Sequence, residues 1–401
     1  MKNIFNDHIK HYKNFNMGAE IDIAGTFIYN GIKELDSIES FHYGSEVFTF
    51  LYPISVGIER LQKSLIVLVE NISEDEIEDF ERSLITHSHQ GLHDRIKKHI
   101  DIKFNSRQNG FLQILNNFYK NCRYERFNIK GQYDSEKVIL IDYIKANLSD
   151  DKIERDIFGN EINTTKTKEL LGRVIGSIAR TYYENIYEFA SRENLYTYEL
   201  RSGSKASKIF LSQVSKNSLQ EQIINEQISL KEFLVFLINT KSKNSFYKFI
   251  KEIQPLNLDI ALANSYLESI CKGNIPSDLV DEVEFWYEEC SYSKDRVEMI
   301  DCIGNTMMDF EFGVILKLKE ELEKVISRES TCDNFANEFS ERIEEIDDEE
   351  VLRILNDILI ICNEYKQDNN DSTTREEGFF TNIESLYEEL ISYIGGRADI
   401  E

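Results

Sequence analysis

The chain is poor in residues that interrupt helices and lacks the cysteine patterns that hold metals or form disulfide frameworks. It has three prolines in 401 residues, which allows long helices. Its six cysteines are scattered and include no Cys-x-x-Cys pair, so neither a zinc site nor a disulfide framework is expected. Leucine, isoleucine, glutamate and lysine are abundant. Together these features predict an almost wholly helical, all-α protein.

Long apolar runs are also absent. No segment approaches the roughly 20 apolar residues that a membrane-spanning helix needs. The N-terminal residues 1–15 lack the continuous apolar stretch of a signal peptide. We therefore expect a cytoplasmic protein with no membrane partner.

The whole chain has a formal net charge of −26, and its negative charge is concentrated in the second half. Residues 1–210 carry 28 Lys and Arg against 31 Asp and Glu, whereas residues 211–401 carry 18 against 41. A strongly acidic surface repels phosphate backbones. Any RNA or nucleotide site is therefore expected in the N-terminal half. The acidic half could mimic nucleic acid, cover a basic surface or recruit a protein partner.

Hydrophobic periodicity predicts three helical regions. Residues 1–130 form a helical bundle, residues 131–228 form a helical extension that packs on it, and residues 229–401 form an acidic C-terminal domain. Within this last region, the polar stretch near 366–378 predicts a flexible linker before a final helix over 379–394.

Several helices are assigned within the first region. One covers residues 20–40, and Pro53 suits the first turn of the next. Ser73 and Glu76 form a capping-box pattern that opens a third helix, and a further helix covers residues 107–123.

Histidine occurs only in the first 99 residues, and four of the seven histidines lie close together in the sequence. These four are His87, His89, His93 and His99. Because imidazole titrates nearest neutral pH, acid-base chemistry is expected in this segment.

Three segments around these histidines resemble the HEPN superfamily of small helical bundles. They are GIERLQKSLIVL at 57–68, SHQGLHDRI at 88–96 and FYKNCRYERF at 118–127. They are similar to the superfamily's "EK-LK" helix, its "GHDL" segment and its closing "RYP" segment. The matching positions are Glu59, Lys63, His93, Asp94, Arg123 and Tyr124. The chain departs from these patterns at Gly91, which Leu92 separates from the histidine, and at Glu125, which stands in place of proline.

The resemblance implies a HEPN-like bundle at the N-terminus and, for the nuclease members, a dimeric site that needs no metal. Such sites use an arginine followed four to six residues later by a histidine. Arg82 with His87 or His89 fits this spacing. On an unbroken helix His89 lies about 20° from Arg82 and His87 about 140° away, which favours His89. Arg82 would hold the phosphate, and His89 or His87 would exchange protons.

Basic residues around this segment are the expected substrate contacts. They are His93, Arg95, Lys98, His99, Arg123 and Arg126. A second interpretation of the same residues is structural, with imidazoles capping carbonyls in a helix connection and cations on a solvated face. The spacing of His87, His89 and His93 superficially suits zinc, but no histidine follows downstream to complete the ligands, so no metal or cofactor is expected.

The leading hypothesis is a metal-independent endoribonuclease, a hydrolase-like effector that binds RNA as a homodimer in bacterial antiviral defence or a toxin system. The biological role rests on the resemblance alone. The alternative is a non-catalytic helical adaptor that binds a nucleotide or a protein partner.

Overall fold

The computed structural model describes residues 8–129, 134–195, 200–211, 219–241, 245–289, 294–305, 312–346, 348–367 and 373–398. The structure is 76% helical, with 17 α-helices and no sheet in these ranges. The prediction of an all-α protein is confirmed. None of the described helices is long and apolar enough to cross a membrane.

The chain divides into two compact units. The first comprises Met1–Leu234 with Cys271–Asn274, and the second comprises Val235–Ile270 with Ile275–Glu401. The sequence-based division at residues 130 and 228 stays a prediction, although residues on both sides of 130 share one hydrophobic core in the first unit.

Nine helices account for most of the first unit. They are α1 (His8–Ser37), α2 (Gly44–Val69), α3 (Ile77–Ser83), α4 (His89–Ile96), α5 (Ser106–Lys120), α6 (Ser135–Asn147), α7 (Thr165–Arg192), α8 (Lys205–Phe210) and α9 (Gln220–Asn239), whose last residues enter the second unit. The remaining helices are α10 (Ser245–Glu252), α11 (Ala263–Cys271), α12 (Ser277–Glu289), α13 (Lys294–Asp301), α14 (Phe312–Ile326), α15 (Cys332–Arg342), α16 (Glu349–Gln367) and α17 (Thr373–Ala398).

Helix α2 is the central helix of the first unit and packs against α1, α4, α5, α6 and α7. Its apolar residues recur at helical spacing and are fully buried: Val47, Phe50, Leu51, Ile54, Ile58, Leu61 and Leu65. Close approach to α1 depends on Gly57, where an added Cβ would lie 2.7 Å from Cγ1 of Ile28. This packing fixes α2, which carries the acidic residue of the candidate site.

Two details of α2 and α3 differ from the sequence-based expectation. Pro53 lies inside α2, which begins at Gly44, so its assignment to a first turn is wrong. The burial of α2 on several sides offsets the one backbone hydrogen bond that proline removes. Ser73 precedes a short 3₁₀ turn before α3, and its hydroxyl donates to the Glu76 carboxylate instead of capping backbone amides.

The helix does not run unbroken from Arg82 to His89, because α3 ends at Ser83 and α4 begins at His89. Ser88 starts the new helix: its hydroxyl accepts a hydrogen bond from the Gly91 amide at 3.2 Å. Arg82 and His89 therefore do not share one face of a continuous helix, and the preference for His89 over His87 on that ground does not apply.

The second unit has its own core, built from α14, α15, α16 and α17. The predicted final helix over 379–394 lies within α17, which already begins at Thr373. The part of the expected linker from 373 to 378 is thus helical, while residues 368–372 lie outside the described residues.

Candidate active site

Side chains from α2, from the α3–α4 connection and from the end of α5 meet around Glu59. The Glu59 side chain is only 10% exposed. Its oxygens lie 3.1 and 3.2 Å from Nδ1 of His87, and Nζ of Lys63 donates to Oε1 at 2.7 Å. A buried carboxylate thus has an imidazole and an ammonium as partners, which offsets its loss of water.

His87 is the accessible member of this group, with 53% of its side chain exposed. The carboxylate of Glu59 requires a proton on Nδ1, so the neutral ring carries its lone pair on Nε2. The ring packs against Tyr119 with centroids 4.6 Å apart. An imidazole fixed in one tautomer by a carboxylate is suited to accept a proton from a substrate.

Arg123 completes the group from the 3₁₀ helix Cys122–Phe127 that follows α5. Its guanidinium carbon lies 5.2, 4.6 and 4.9 Å from the ring centroids of Tyr52, Tyr119 and Tyr124. Within the described part of the chain, no carboxylate forms an ion pair with Arg123. The Tyr119 ring therefore lies between the imidazole of His87 and the guanidinium of Arg123, which is available to bind an anion.

Of these rings, Tyr119 experiences the charge of Glu59. The pKa of the Tyr119 hydroxyl is raised, first by burial and then by the Glu59 carboxylate, while Arg123 opposes the shift. Tyr119 is thus a neutral, aromatic wall of the site at physiological pH.

His89 and His93, predicted as catalytic and substrate-binding residues, are buried, with 0% and 2% exposure. Nε2 of His89 donates to the Ser55 carbonyl at 2.8 Å, and the His93 ring stacks on Phe104 with centroids 4.6 Å apart. Burial lowers the pKa of both imidazoles, which favours their neutral forms. As placed here, neither ring can contact an RNA strand.

A buried hydrogen-bond network holds these two histidines. Nε2 of Gln62 donates to the His89 carbonyl and to the Tyr182 hydroxyl, both at 2.9 Å. The Tyr182 oxygen lies 2.8 Å from Nδ1 of His93. Since His93 is favoured in its neutral form, the Tyr182 hydroxyl can donate to its Nδ1.

Arg82 lies on the exposed surface of α3. Its side chain is 68% exposed and pairs with Asp79 at 2.9 Å and with Glu78 at 3.7 Å. The structure does not bring it to His89, which is enclosed in the core. No hydrogen bond joins Arg82 to His87 or His89 among the described residues, and a site that pairs them across two subunits stays a prediction.

Three of the predicted substrate contacts line one shallow surface depression together with Glu70 and Asp94: Arg95, Lys98 and His99. Arg95 forms two hydrogen bonds with the Glu70 carboxylate, at 2.7 and 2.6 Å, and donates to the Ser83 hydroxyl at 3.0 Å. His99 also contacts Glu70, at 3.3 Å. Both basic groups are engaged by a carboxylate, which disfavours a phosphate there. Lys97 and Lys98 are also exposed at that helix end.

Of the remaining predictions, Arg123 is brought close to His87 through Tyr119, whereas the side chain of Arg126 lies outside the described part of the structure. The rings of His87, His89 and His93 bond to three different partners: the Glu59 carboxylate, the Ser55 carbonyl and the Tyr182 hydroxyl. The described residues contain no cluster of His, Cys, Asp or Glu that could hold a metal ion.

Sequence reasoning did not assign Glu59, Lys63, Tyr52 or Tyr119 to the site. Glu59 and Lys63 were visible as a pair four residues apart on a helix, which is a spacing that brings side chains together. Tyr119 lies four residues before Arg123, so their contact was also within reach of the sequence. His87 contacts Glu59 and Tyr119, which belong to other helices and lie about 30 residues away in the chain, so no local sequence pattern predicts these contacts.

Comparison of the chain with family models, with curated proteins and with solved structures finds no match. The contacts around Glu59, His87 and Arg123 are thus the basis for assigning a function to the chain.

Proposed function

We propose that this protein is a metal-independent endoribonuclease whose proton-transfer group is His87. The observation that carries the proposal is one arrangement: an exposed imidazole held by the buried Glu59, with Arg123 close by and unpaired with any carboxylate of the described residues. The proposal keeps His87 from the sequence-based set, and replaces Arg82 by Arg123 as the group that holds the phosphate.

The chemistry follows from the protonation state of the His87 imidazole and the Glu59 carboxylate. Nε2 of His87 takes the proton of an RNA 2′-hydroxyl as its oxygen attacks the adjacent phosphorus, and Glu59 stabilises the imidazolium that forms. Arg123 stabilises the charge that collects on the phosphate oxygens. The bond from phosphorus to the 5′-oxygen then breaks, leaving a 2′,3′-cyclic phosphate and a 5′-hydroxyl.

The departing 5′-oxygen needs an acid on the side of the phosphorus opposite the base. We propose that the imidazolium of His87 in a second copy of the chain supplies it, as a homodimeric site would allow. The resemblance to the HEPN superfamily supports this dimer. It also motivates the proposal that the protein acts in the cytoplasm as an effector of antiviral defence or a toxin system.

Exposed aromatic rings next to the site support RNA as the substrate. Tyr124 is 60% exposed and Phe127 is 84% exposed, on the same short 3₁₀ helix as Arg123. Bases of single-stranded RNA stack on such rings, and a nearby guanidinium adds attraction for the backbone.

The test is cleavage of single-stranded RNA by the full-length protein in EDTA, followed by identification of the product ends. We expect cleavage with 2′,3′-cyclic phosphate ends. His87→Ala should slow it roughly 100-fold or more, and Arg123→Ala should slow it by a similar factor. Glu59→Gln should lower the rate less, because the imidazole keeps its position and loses only its charge partner.

His42→Ala is the matched control, since it removes an exposed histidine from the connection between α1 and α2 and should leave the rate unchanged. Cleavage that His87→Ala does not slow would contradict the proposal, as would cleavage that EDTA abolishes.

A second candidate function is favoured by the other predicted residues. His89 and His93 are enclosed in the core, and Arg82 and Arg95 form ion pairs. These contacts suit a non-catalytic adaptor that binds a nucleotide, or that recruits a protein through its acidic C-terminal half. RNA or nucleotide binding without cleavage by the wild-type protein would select this alternative.

A further inference from the structure

A basic cleft lies in the first unit, away from the histidines. It has a volume of about 320 Å³ and lies between the start of α5, the end of α6 and the start of α7. Its lining includes the apolar residues Leu148, Leu170 and Val174. A concave, partly apolar site of this size can hold a small ligand or part of a larger one.

Four cations from three parts of the chain line this cleft: Arg107, Lys152, Lys166 and Arg173. Arg107 lies in the first turn of α5 and Lys166 in the first turn of α7. Helix N-termini carry partial positive charge, so both backbone ends add to the attraction for an anion.

The cations are only partly neutralised by the chain. Arg173 pairs with Glu169 at 3.1 Å, a surface pair between residues four apart that contributes little. Arg107 donates to the Asn147 carbonyl at 3.5 Å, which is a weak contact. The pKa of Asp151 is lowered first by a hydrogen bond from the Ser149 side chain, then by a backbone hydrogen bond, and less by the charges of Lys152 and Lys166. With Glu169 and Asp151 counted, the cleft keeps two positive charges in excess.

The cleft lies in the half of the chain that is nearly balanced in charge, with 28 Lys and Arg against 31 Asp and Glu over residues 1–210, so this excess is a local concentration. A concentration of cations costs free energy through mutual repulsion unless an anion relieves it. The geometry suits a ligand with more than one negative charge, because the cations come from separate elements around a hollow.

We propose that this cleft binds phosphoryl groups, two or more to a ligand, through Arg107, Lys152, Lys166 and Arg173. The phosphates can belong to a free nucleotide or to an RNA strand. This binding is independent of the chemistry proposed at His87, so either proposal can fail without the other.

The first experiment measures binding of inorganic tripolyphosphate to the full-length protein by isothermal titration calorimetry at low salt. We expect saturable binding that weakens as salt increases. Arg107→Glu and Lys166→Glu should each weaken it at least about tenfold, because each replaces an attraction by a repulsion. Both residues are exposed, so these variants should fold, and circular dichroism checks that they do.

Lys231→Glu is the matched control. It reverses one exposed lysine on α9, which does not line the cleft, and should leave the affinity unchanged. The proposal is overturned if tripolyphosphate does not bind, or if Lys231→Glu weakens binding as much as the cleft variants do.

The second arm distinguishes the two sources of phosphate. Single-stranded RNA and ATP are each tested for displacement of tripolyphosphate, using the His87→Ala variant so that RNA stays intact. Displacement by ATP alone identifies a nucleotide site, and displacement by RNA that Lys166→Glu weakens identifies an RNA backbone site.

Discussion

Residues of one type have contrasting roles in this protein, and their immediate partners explain the contrast. His87 is half exposed against a carboxylate, whereas His89, two positions later, is enclosed and donates to a backbone carbonyl. Arg123 lies among tyrosine rings with no carboxylate partner in the described chain, whereas Arg95 is held by Glu70. A basic residue can bind a phosphate only if it is not already paired with a carboxylate of the same chain.

Arg95 is expected to stabilise the fold instead of binding substrate. Its side chain is 21% exposed, bonds to Glu70 and Ser83, and lies 5.6 Å from the Phe80 ring centroid. Arg95→Ala should lower the free energy of unfolding by about 1–3 kcal/mol, because Glu70 loses its main partner. Urea unfolding monitored by circular dichroism measures this change.

Arg82→Ala is the comparison, because Arg82 forms only exposed ion pairs on α3. It should change the free energy of unfolding by less than about 0.5 kcal/mol. Should Arg95→Ala leave stability intact and abolish RNA cleavage, the assignment of Arg95 as a substrate contact would regain support.

At the scale of elements, the connection between α3 and α4 determines what the histidine segment can do. Ser88 ends the connection by capping α4, and its hydroxyl also donates to Asn116 on α5 at 3.0 Å. The cap therefore positions the residue just before it, His87, against Glu59 and Tyr119.

Removing the cap should loosen both the helix and the site. Ser88→Ala is expected to lower the free energy of unfolding by about 1 kcal/mol, since the Gly91 amide and Asn116 lose their partner. Ser88→Thr keeps the hydroxyl and should retain most of the stability. Thermal and urea unfolding of the two variants provide the comparison, and equal losses in both would show that the hydroxyl is not what matters.

Helices were predictable to the extent that their signals are local. The buried stripe of α2 follows from apolar residues at helical spacing, and the core of α17 was predicted in the same way. The position of Pro53 was not, because the packing that tolerates a proline inside α2 comes from other helices. The break before His89 depends on Ser88 and on Asn116, which is 28 residues away.

The candidate site was predictable in the same limited way. Histidine chemistry near His87 and a role for Arg123 could be predicted from residue types. Whether a given imidazole faces solvent or the core depends on the tertiary packing of α2, α4 and α7, and a sequence motif carries no information on that packing. His89 and His93 lie on the inner face of α4, together with Leu92 and Ile96.

At the scale of the whole first unit, one core connects elements that are far apart in the chain. Gln62 on α2, His93 on α4 and Tyr182 on α7 meet in one buried network. Because these hydrogen bonds join three helices, the protonation state of the buried histidines is coupled to global stability.

That coupling predicts a loss of stability in mild acid. Burial lowers the pKa of His89 and His93 from the ordinary value of 6.5, so the unfolded chain binds protons there before the folded chain does. The free energy of unfolding should therefore fall as pH decreases below about 6.5, with a slope of up to about 1.4 kcal/mol per pH unit for each histidine, until the folded pKa is reached.

The lowered pKa values of Glu70, Glu161 and Glu226, whose ordinary value is 4.5, contribute mainly at lower pH. Urea unfolding between pH 7.5 and 5 measures the slope, and His93→Gln should reduce it by up to about 1.4 kcal/mol per pH unit. NMR titration of the wild type provides a check that needs no variant: the two buried rings should remain neutral below pH 6.5, and a ring that titrates at or above that value would refute the prediction.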